Sequence, residues 1–320
     1  MPIQIRPLDE KLSFGVRISG LTRELTEHPA IREEINAEFE RAGMIVFEDV
    51  EASNEMQLAV SAIFGPLKEH PVKSIARVDR DALPGVIELR SGQNSGGIVE
   101  IDGQQVSHWL PWHFDHCYND ELNRAGVLRA AKVAPVGGLT GFLDGIALYK
   151  LFPKDLLARI EDAEIVYTLN SHYETQRFSN PPGLKIIRSK PMGAGFEAEA
   201  KAMPRAIHPA VWTRKSGEKV LHVSPYMAEG IVGHEDPEGE ALFAEVARTL
   251  DALAPQCSYH HRWKPTEMLI WDNWRMLHAV SGHDPSYERI MYRTTIKGDY
   301  GLGRFENNGV GGKILQDTII

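Results

Sequence analysis

Trp112-His113-Phe114-Asp115 sets an imidazole and a carboxylate one residue apart. In an extended chain, side chains alternate between faces, so His113 and Asp115 emerge together and can occupy adjacent corners of one metal ion. Far along the sequence stands His278, reached through the apolar run Met268-Leu269-Ile270 and then Trp271-Asp272-Asn273. Two imidazoles and a carboxylate on one face of an octahedron leave three positions open, the donor pattern of non-haem Fe(II) oxygenases. Arg289 and Arg293 follow, four residues apart and so on one face of a strand. Two inward guanidiniums are costly unless each meets an anion. The pattern predicts two anionic ligands, or one anion and one internal carboxylate.

A lone His-x-Asp says little in a chain with 13 histidines. Its weight comes from His278 and the arginines beyond it. His116, His172, His260, His261 and His283 read as surface or packing residues, with His108 and His116 flanking the pair.

Around these residues the chain reads as short strands with a few helices. Strands are expected at residues 2–6, 15–18 and 44–47, within 125–143, and at 259–263, 268–271 and 290–296. Pro29 to Gly43 reads as a helix, with Pro29 in the first turn and Gly43 at its end. Further helices are expected at 54–64, with Asn54 as N-cap, at 155–163 and at 237–253. Residues 211–223 read as a hairpin and 178–206 as an irregular excursion. Without a βαβ rhythm, this order predicts antiparallel β architecture dressed with helices. The Gly-, Ser- and Gln-rich stretch 91–107 reads as a surface hairpin or a lid over a site. Residues 301–320 read as a glycine-rich tail.

The 320 residues are 42% hydrophobic and 25% charged, enough for a large core under a soluble surface. A net charge of −9 argues against nonspecific nucleic-acid binding, which needs basic surface. Two cysteines without a CxxC pattern fit a reducing cytoplasm, with no disulfide framework. No signal peptide and no membrane span are expected.

The chain resembles the taurine dioxygenase and 2,4-dichlorophenoxyacetate dioxygenase family of Fe(II)/2-oxoglutarate-dependent enzymes. The resemblance rests on Phe64-Gly65-Pro66-Leu67 with His70, Trp112-His113-x-Asp115, Gly137-Gly138-Leu139-Thr140, His208-Pro209-Ala210-Val211, and Trp271-Asp272-Asn273 leading to His278. The spacings from His278 to Arg289 and Arg293 also match, and the likeness runs to about residue 300. It implies a mainly β double-stranded β-helix (a cupin-like jelly roll) with flanking helices, read here as one domain over 1–320. It implies Fe(II) on His113, Asp115 and His278, with 2-oxoglutarate and O2 as co-substrates. It assigns the distal carboxylate of 2-oxoglutarate to Arg289 and Thr140, and the acidic group of the primary substrate to Arg293 and His70. The implied reaction hydroxylates a C–H bond and releases succinate and CO2. C–O or C–S cleavage follows where the hydroxylated carbon bears such a bond.

Trp109, Phe114 and Tyr118 near the His-x-Asp pair predict a substrate with an apolar or aromatic body, most simply a carboxylic acid. A taurine-type sulfonate or alkyl sulfate ranks second. A non-catalytic small-acid-binding relative and a zinc hydrolase on the same ligands are the remaining readings. A homo-oligomer, dimer or tetramer, is expected.

Overall fold

Three strands, Met44–Glu48, Thr140–Asp144 and Met268–Asp272, bury almost every side chain on both faces. A strand covered on both faces needs a packed layer on each side. The computed structural model, which describes residues 3–72, 76–79, 83–190, 192 and 195–307, supplies those layers.

Two antiparallel sheets lie face to face. The larger has eight strands, in the order Gln4–Pro7, Val16–Ser19, Met44–Glu48, Met268–Asp272, Ala125–Lys132, Arg289–Ile296, Leu83–Ser91 and Arg77–Asp79. Its one parallel pairing joins Val16–Ser19 to Met44–Glu48. The second has six, in the order Lys185–Arg188, Ile98–Ile101, Gln104–His113, Met276–His283, Thr140–Asp144 and Ser258–His261. Leu128, Leu269, Trp271 and Met291 of the first meet Phe142 and Met276 of the second in one buried cluster. The indole of Trp271 lies over Gly126 on the neighbouring strand, so close that a Cβ there would collide with the ring.

Helices Pro29–Ala42 and Asn54–Phe64 cover the outer face of the larger sheet, packing Ile35, Phe39 and Val60 against Ile45, Phe47 and Ile270. Gly43 ends the first at φ 73°, as its position predicts. The second is capped by Ser53, whose side chain accepts from Met56 N–H. Asn54, expected as the cap, instead accepts from Arg129. This helix also braces the strand carrying both arginines. Gln57 Nε2 donates to Tyr292 O at 2.9 Å, and the hydroxyls of Ser61 and Thr294 bond at 2.7 Å.

Outside the six-stranded sheet lies a third cluster, built on helix Pro237–Cys257 and a four-stranded sheet that includes Glu164–Tyr167 and Ala206–Pro209. That helix runs beyond residue 253 to Cys257, with Pro255 inside its last turn. The 178–206 segment departs from the irregular path expected of it. It forms strand Lys185–Arg188, paired with Ile98–Ile101, and helix Phe196–Ala202. Residues 98–113 form a hairpin, Ile98–Ile101 against Gln104–His113. Of the C-terminal tail, Arg304–Phe305 pairs with Ala206–Ile207, and 308–320 lie outside the described residues. No described helix is long and apolar enough to cross a membrane.

Candidate metal centre and active site

His113 ends its strand directly opposite His278 on the neighbouring one. The pairing explains how residues so distant in sequence meet, their ring centroids 4.0 Å apart. Asp115 follows His113 by one alternation. Ligating atoms of His113, Asp115 and His278 all lie within 4.8 Å of one another, and all three residues are buried.

The surroundings fix each group. The imidazole Nδ1 of His113 bonds the Pro111 carbonyl at 2.8 Å, acting as donor and leaving Nε2 free to ligate. Asp115 is clamped through its backbone: its N–H donates to Asn273 Oδ1 at 2.8 Å, and Asn273 Nδ2 donates back to its carbonyl at 3.0 Å. Asp115 Oδ2 is buried without a hydrogen-bond partner, and His278 brings Nε2 to 3.8 Å from Asp115 Oδ1. An orphaned buried acceptor is costly, and a cation beside it supplies the missing bond. The donor set, one carboxylate and two imidazoles, suits Fe(II).

Burial lowers the pKa of both imidazoles, that of His278 to about 3, so each is neutral and ready to donate a lone pair at neutral pH. Burial opposes ionisation of Asp115 too. The Arg293 guanidinium outweighs it and holds the carboxyl well below the usual carboxylate range.

The two arginines face the same way from strand Arg289–Ile296, as four-residue spacing requires, yet they differ. Arg293 Nη1 donates to Asp115 Oδ1 at 2.8 Å, so its anion is an internal carboxylate. Arg289 has no carboxylate partner among the described residues. It reaches only Thr140 Oγ1, at 3.5 Å, and burial pulls its pKa down to about 10. Trp263 Nε1 donates to that same hydroxyl at 2.9 Å. Gly138 packs against the Arg289 side chain at φ 65°, leaving no room for a Cβ without displacing it.

A cavity of about 440 Å³ joins these groups, within the usual range for small-ligand sites. His70, Phe114, Tyr118, Thr140, Arg289 and Arg293 all line it. His70 Nδ1 accepts from Val72 N–H at 3.1 Å, and burial lowers its pKa to about 3. Phe114 is mainly a core residue, stacked on His222 with centroids 4.0 Å apart. Trp109 is not among the residues that line the cavity. Strand alternation turns His108 and Leu110 toward the cavity, and Trp109 packs its ring near Tyr173 instead. His116 reads differently as well. It is buried at φ 61°, neither ring nitrogen has a partner, and it lines the cavity beside His70. Lys190 and Asn273, neither singled out in the sequence, also belong here. Asn273 lay within the Trp-Asp-Asn run, and its reciprocal amide pattern becomes visible only once Asp115 is placed beside it.

The family model "Taurine catabolism dioxygenase TauD, TfdA family" matches residues 4–295. The chain belongs to this family. It is similar to (S)-phenoxypropionate/alpha-ketoglutarate-dioxygenase of Sphingobium herbicidovorans, at 29% identity over 92% of this chain and 95% of that one. It is also similar to alpha-ketoglutarate-dependent 2,4-dichlorophenoxyacetate dioxygenase of Cupriavidus pinatubonensis, at 28% identity over 93% and 99%. In fold it matches AAD-2, crystallised with Mn(II) and N-oxalylglycine, with TM-score 0.68 and 24% identity over 93% of this chain and 98% of that one. The family's jelly roll is the two-sheet sandwich described above. The protein is a 2-oxoglutarate-dependent non-haem Fe(II) dioxygenase, using Fe(II), 2-oxoglutarate and O2.

The Asn273 clamp has a measurable consequence. Asn273→Ala releases both backbone contacts to Asp115 and should weaken Fe(II) binding by about 10- to 100-fold, the usual cost of losing an outer-shell partner. A metal titration of the folded variant checks it. Wild-type affinity would show that the strand pairing alone positions Asp115.

Proposed function

We propose that this dioxygenase hydroxylates a C–H bond of a small carboxylic acid with an apolar or aromatic body, an aryloxy acid foremost. The observation that carries the reading is the composition of the cavity. Its lining combines the His113–Asp115–His278 group and cationic side chains with the apolar Val72, Leu89, Leu110, Leu169 and Phe196. An acid with an apolar body suits both kinds of lining. The dioxygenases for phenoxypropionate and dichlorophenoxyacetate named above add weight.

In this reading His113, Asp115 and His278 hold Fe(II), and Arg289 with Thr140 holds the distal carboxylate of 2-oxoglutarate. Bound Fe(II) supplies the redox chemistry by which O2 oxidises both molecules, giving succinate, CO2 and the hydroxylated product. The chain's own part is placement. Arg289, preformed and without a carboxylate, gains its anion only when co-substrate arrives. Arg293 holds the Asp115 carboxylate in its charged form and sits with His70 where the substrate acid enters. The apolar wall orients the substrate body and excludes water. The 92–96 turn, which places Ser95 and Gly96 on the cavity, closes its rim. We also read the chain as one domain.

A sulfate ester is the second reading, favoured by a 23% identical alpha-ketoglutarate-dependent sulfate ester dioxygenase of Pseudomonas putida, matched over 64% of this chain and 65% of that one. Acid-stimulated succinate release separates the two. We expect aryloxyacetates and 2-aryloxypropionates to stimulate it and to yield the phenol, with medium-chain alkyl sulfates and taurine well behind. The opposite order would replace the carboxylate reading with the sulfate one.

A further inference from the structure

Strand Lys185–Arg188 is the outermost strand of the six-stranded sheet, pairing with Ile98–Ile101. Its last residue, Arg188, reaches across the hairpin. The guanidinium donates to the carbonyls of Gly92 at 3.0 Å, Ser95 at 3.3 Å and Gly96 at 2.9 Å, and also to that of Gln93. Two residues later Lys190 lines the cavity, its backbone packed against Gly97, where a Cβ would come within 3.3 Å of Lys190 N. The strand and its arginine therefore fix where the lysine enters.

Lys190 has no carboxylate partner among the described residues. Two carboxylates line the cavity, and both are engaged: Asp115 with Arg293, and Glu88 with Arg90 at 2.8 Å. Burial lowers the pKa of the lysine ammonium, and the like charge of Arg293 on the same cavity adds to that. Lys190 shares the cavity lining with His108, His113, Arg289 and Arg293. With the Arg90–Glu88 pair set aside, three cations, Lys190, Arg289 and Arg293, line a cavity whose other carboxylate is Asp115. A bound 2-oxoglutarate answers Arg289, and Asp115 already answers Arg293. One cation is left over.

We propose that Lys190 is a specificity-determining residue that binds the acid group of the primary substrate, taking the charge-pairing role that Arg293, tied to Asp115, fills only in part. This rests on the acid-substrate reading above. An anionic substrate head then lies between Lys190, Arg293 and His70, and its apolar body extends along Leu110, Leu169 and Phe196.

The test compares Lys190→Met and Lys190→Arg with wild type. The probes are 2,4-dichlorophenoxyacetate and its uncharged carboxamide. Lys190→Met should raise KM for the acid about 10- to 100-fold, as expected for loss of a charge-assisted hydrogen bond. The KM for 2-oxoglutarate should stay within about twofold, and Lys190→Arg should recover most of the affinity. Calorimetric binding of the acid to metal-free protein should weaken by the same factor, and carboxamide binding should not change. Lys190→Gln serves if the methionine variant does not fold. Wild-type turnover of the acid with KM unmoved in the variants, or a rise confined to 2-oxoglutarate, overturns the role of Lys190 alone. If no organic acid stimulates succinate release by wild type, the substrate reading and the proposal fall together.

Discussion

His113→Ala should abolish the weak visible charge-transfer band that anaerobic Fe(II) and 2-oxoglutarate give with the wild-type protein, and with it all substrate-stimulated succinate release. The expectation follows from how the site is built. Among the described residues three protein donors converge, and their ligating atoms already lie within 4.8 Å of one another. Losing one leaves a bidentate site. Loss of an outer-shell partner alone costs about 10- to 100-fold in metal affinity, so loss of a ligand should cost at least about a hundredfold. The variant should still fold, because strand Gln104–His113 is held by pairing on both sides and His113 stands at its end. Far-ultraviolet circular dichroism controls for this. A full-strength band in folded His113→Ala would remove the residue from the metal site.

The second large effect concerns Arg289, and it divides function from stability. Arg289→Leu should raise KM for 2-oxoglutarate by about 10- to 150-fold, the range for losing a charge-assisted pair to a buried carboxylate. The ligand-free variant should melt no lower than wild type, because the substitution removes a buried cation with no carboxylate of its own among the described residues. Saturating 2-oxoglutarate should then stabilise wild type by about 2.7 kcal/mol at a hundredfold excess over Kd, and the variant far less. Thermal melts with and without co-substrate read both halves. A variant that loses stability while keeping its KM would make Arg289 a structural residue. Arg293 behaves oppositely: removing it strips Asp115 of its counter-charge, so metal and substrate binding should weaken together.

Much of this site was legible as sequence because its parts obey short-range rules. His113 and Asp115 share a face through simple alternation, and Arg289 and Arg293 through the same alternation doubled. Gly43 ends its helix in the one backbone region that favours glycine. What could not be read depended on neighbours remote in sequence. Strand Met276–His283, which delivers His278, has a mixed pattern, and only its place between two partners makes it a strand. Strand Lys185–Arg188 is half exposed and draws its order from the hairpin beside it, so its local pattern resembled a loop. Which of His108, Trp109 and Leu110 faces the cavity could not be counted along the strand, because the strand is irregular between its pairings to His278 and Val280.

The pocket's two sides are held by different means. The arginine strand is locked from behind by the buried side chains Gln57 and Ser61 of a covering helix, and the metal group by paired strands. The 92–96 turn is held by its own backbone bonds between Gly92 and Ser95 and by one guanidinium, Arg188, gripping its carbonyls. The molecule is therefore modular along a line that runs through its own cavity. Exchange of the 92–96 and 185–190 ribbons between relatives would alter which acid is accepted while leaving untouched the machinery that oxidises it.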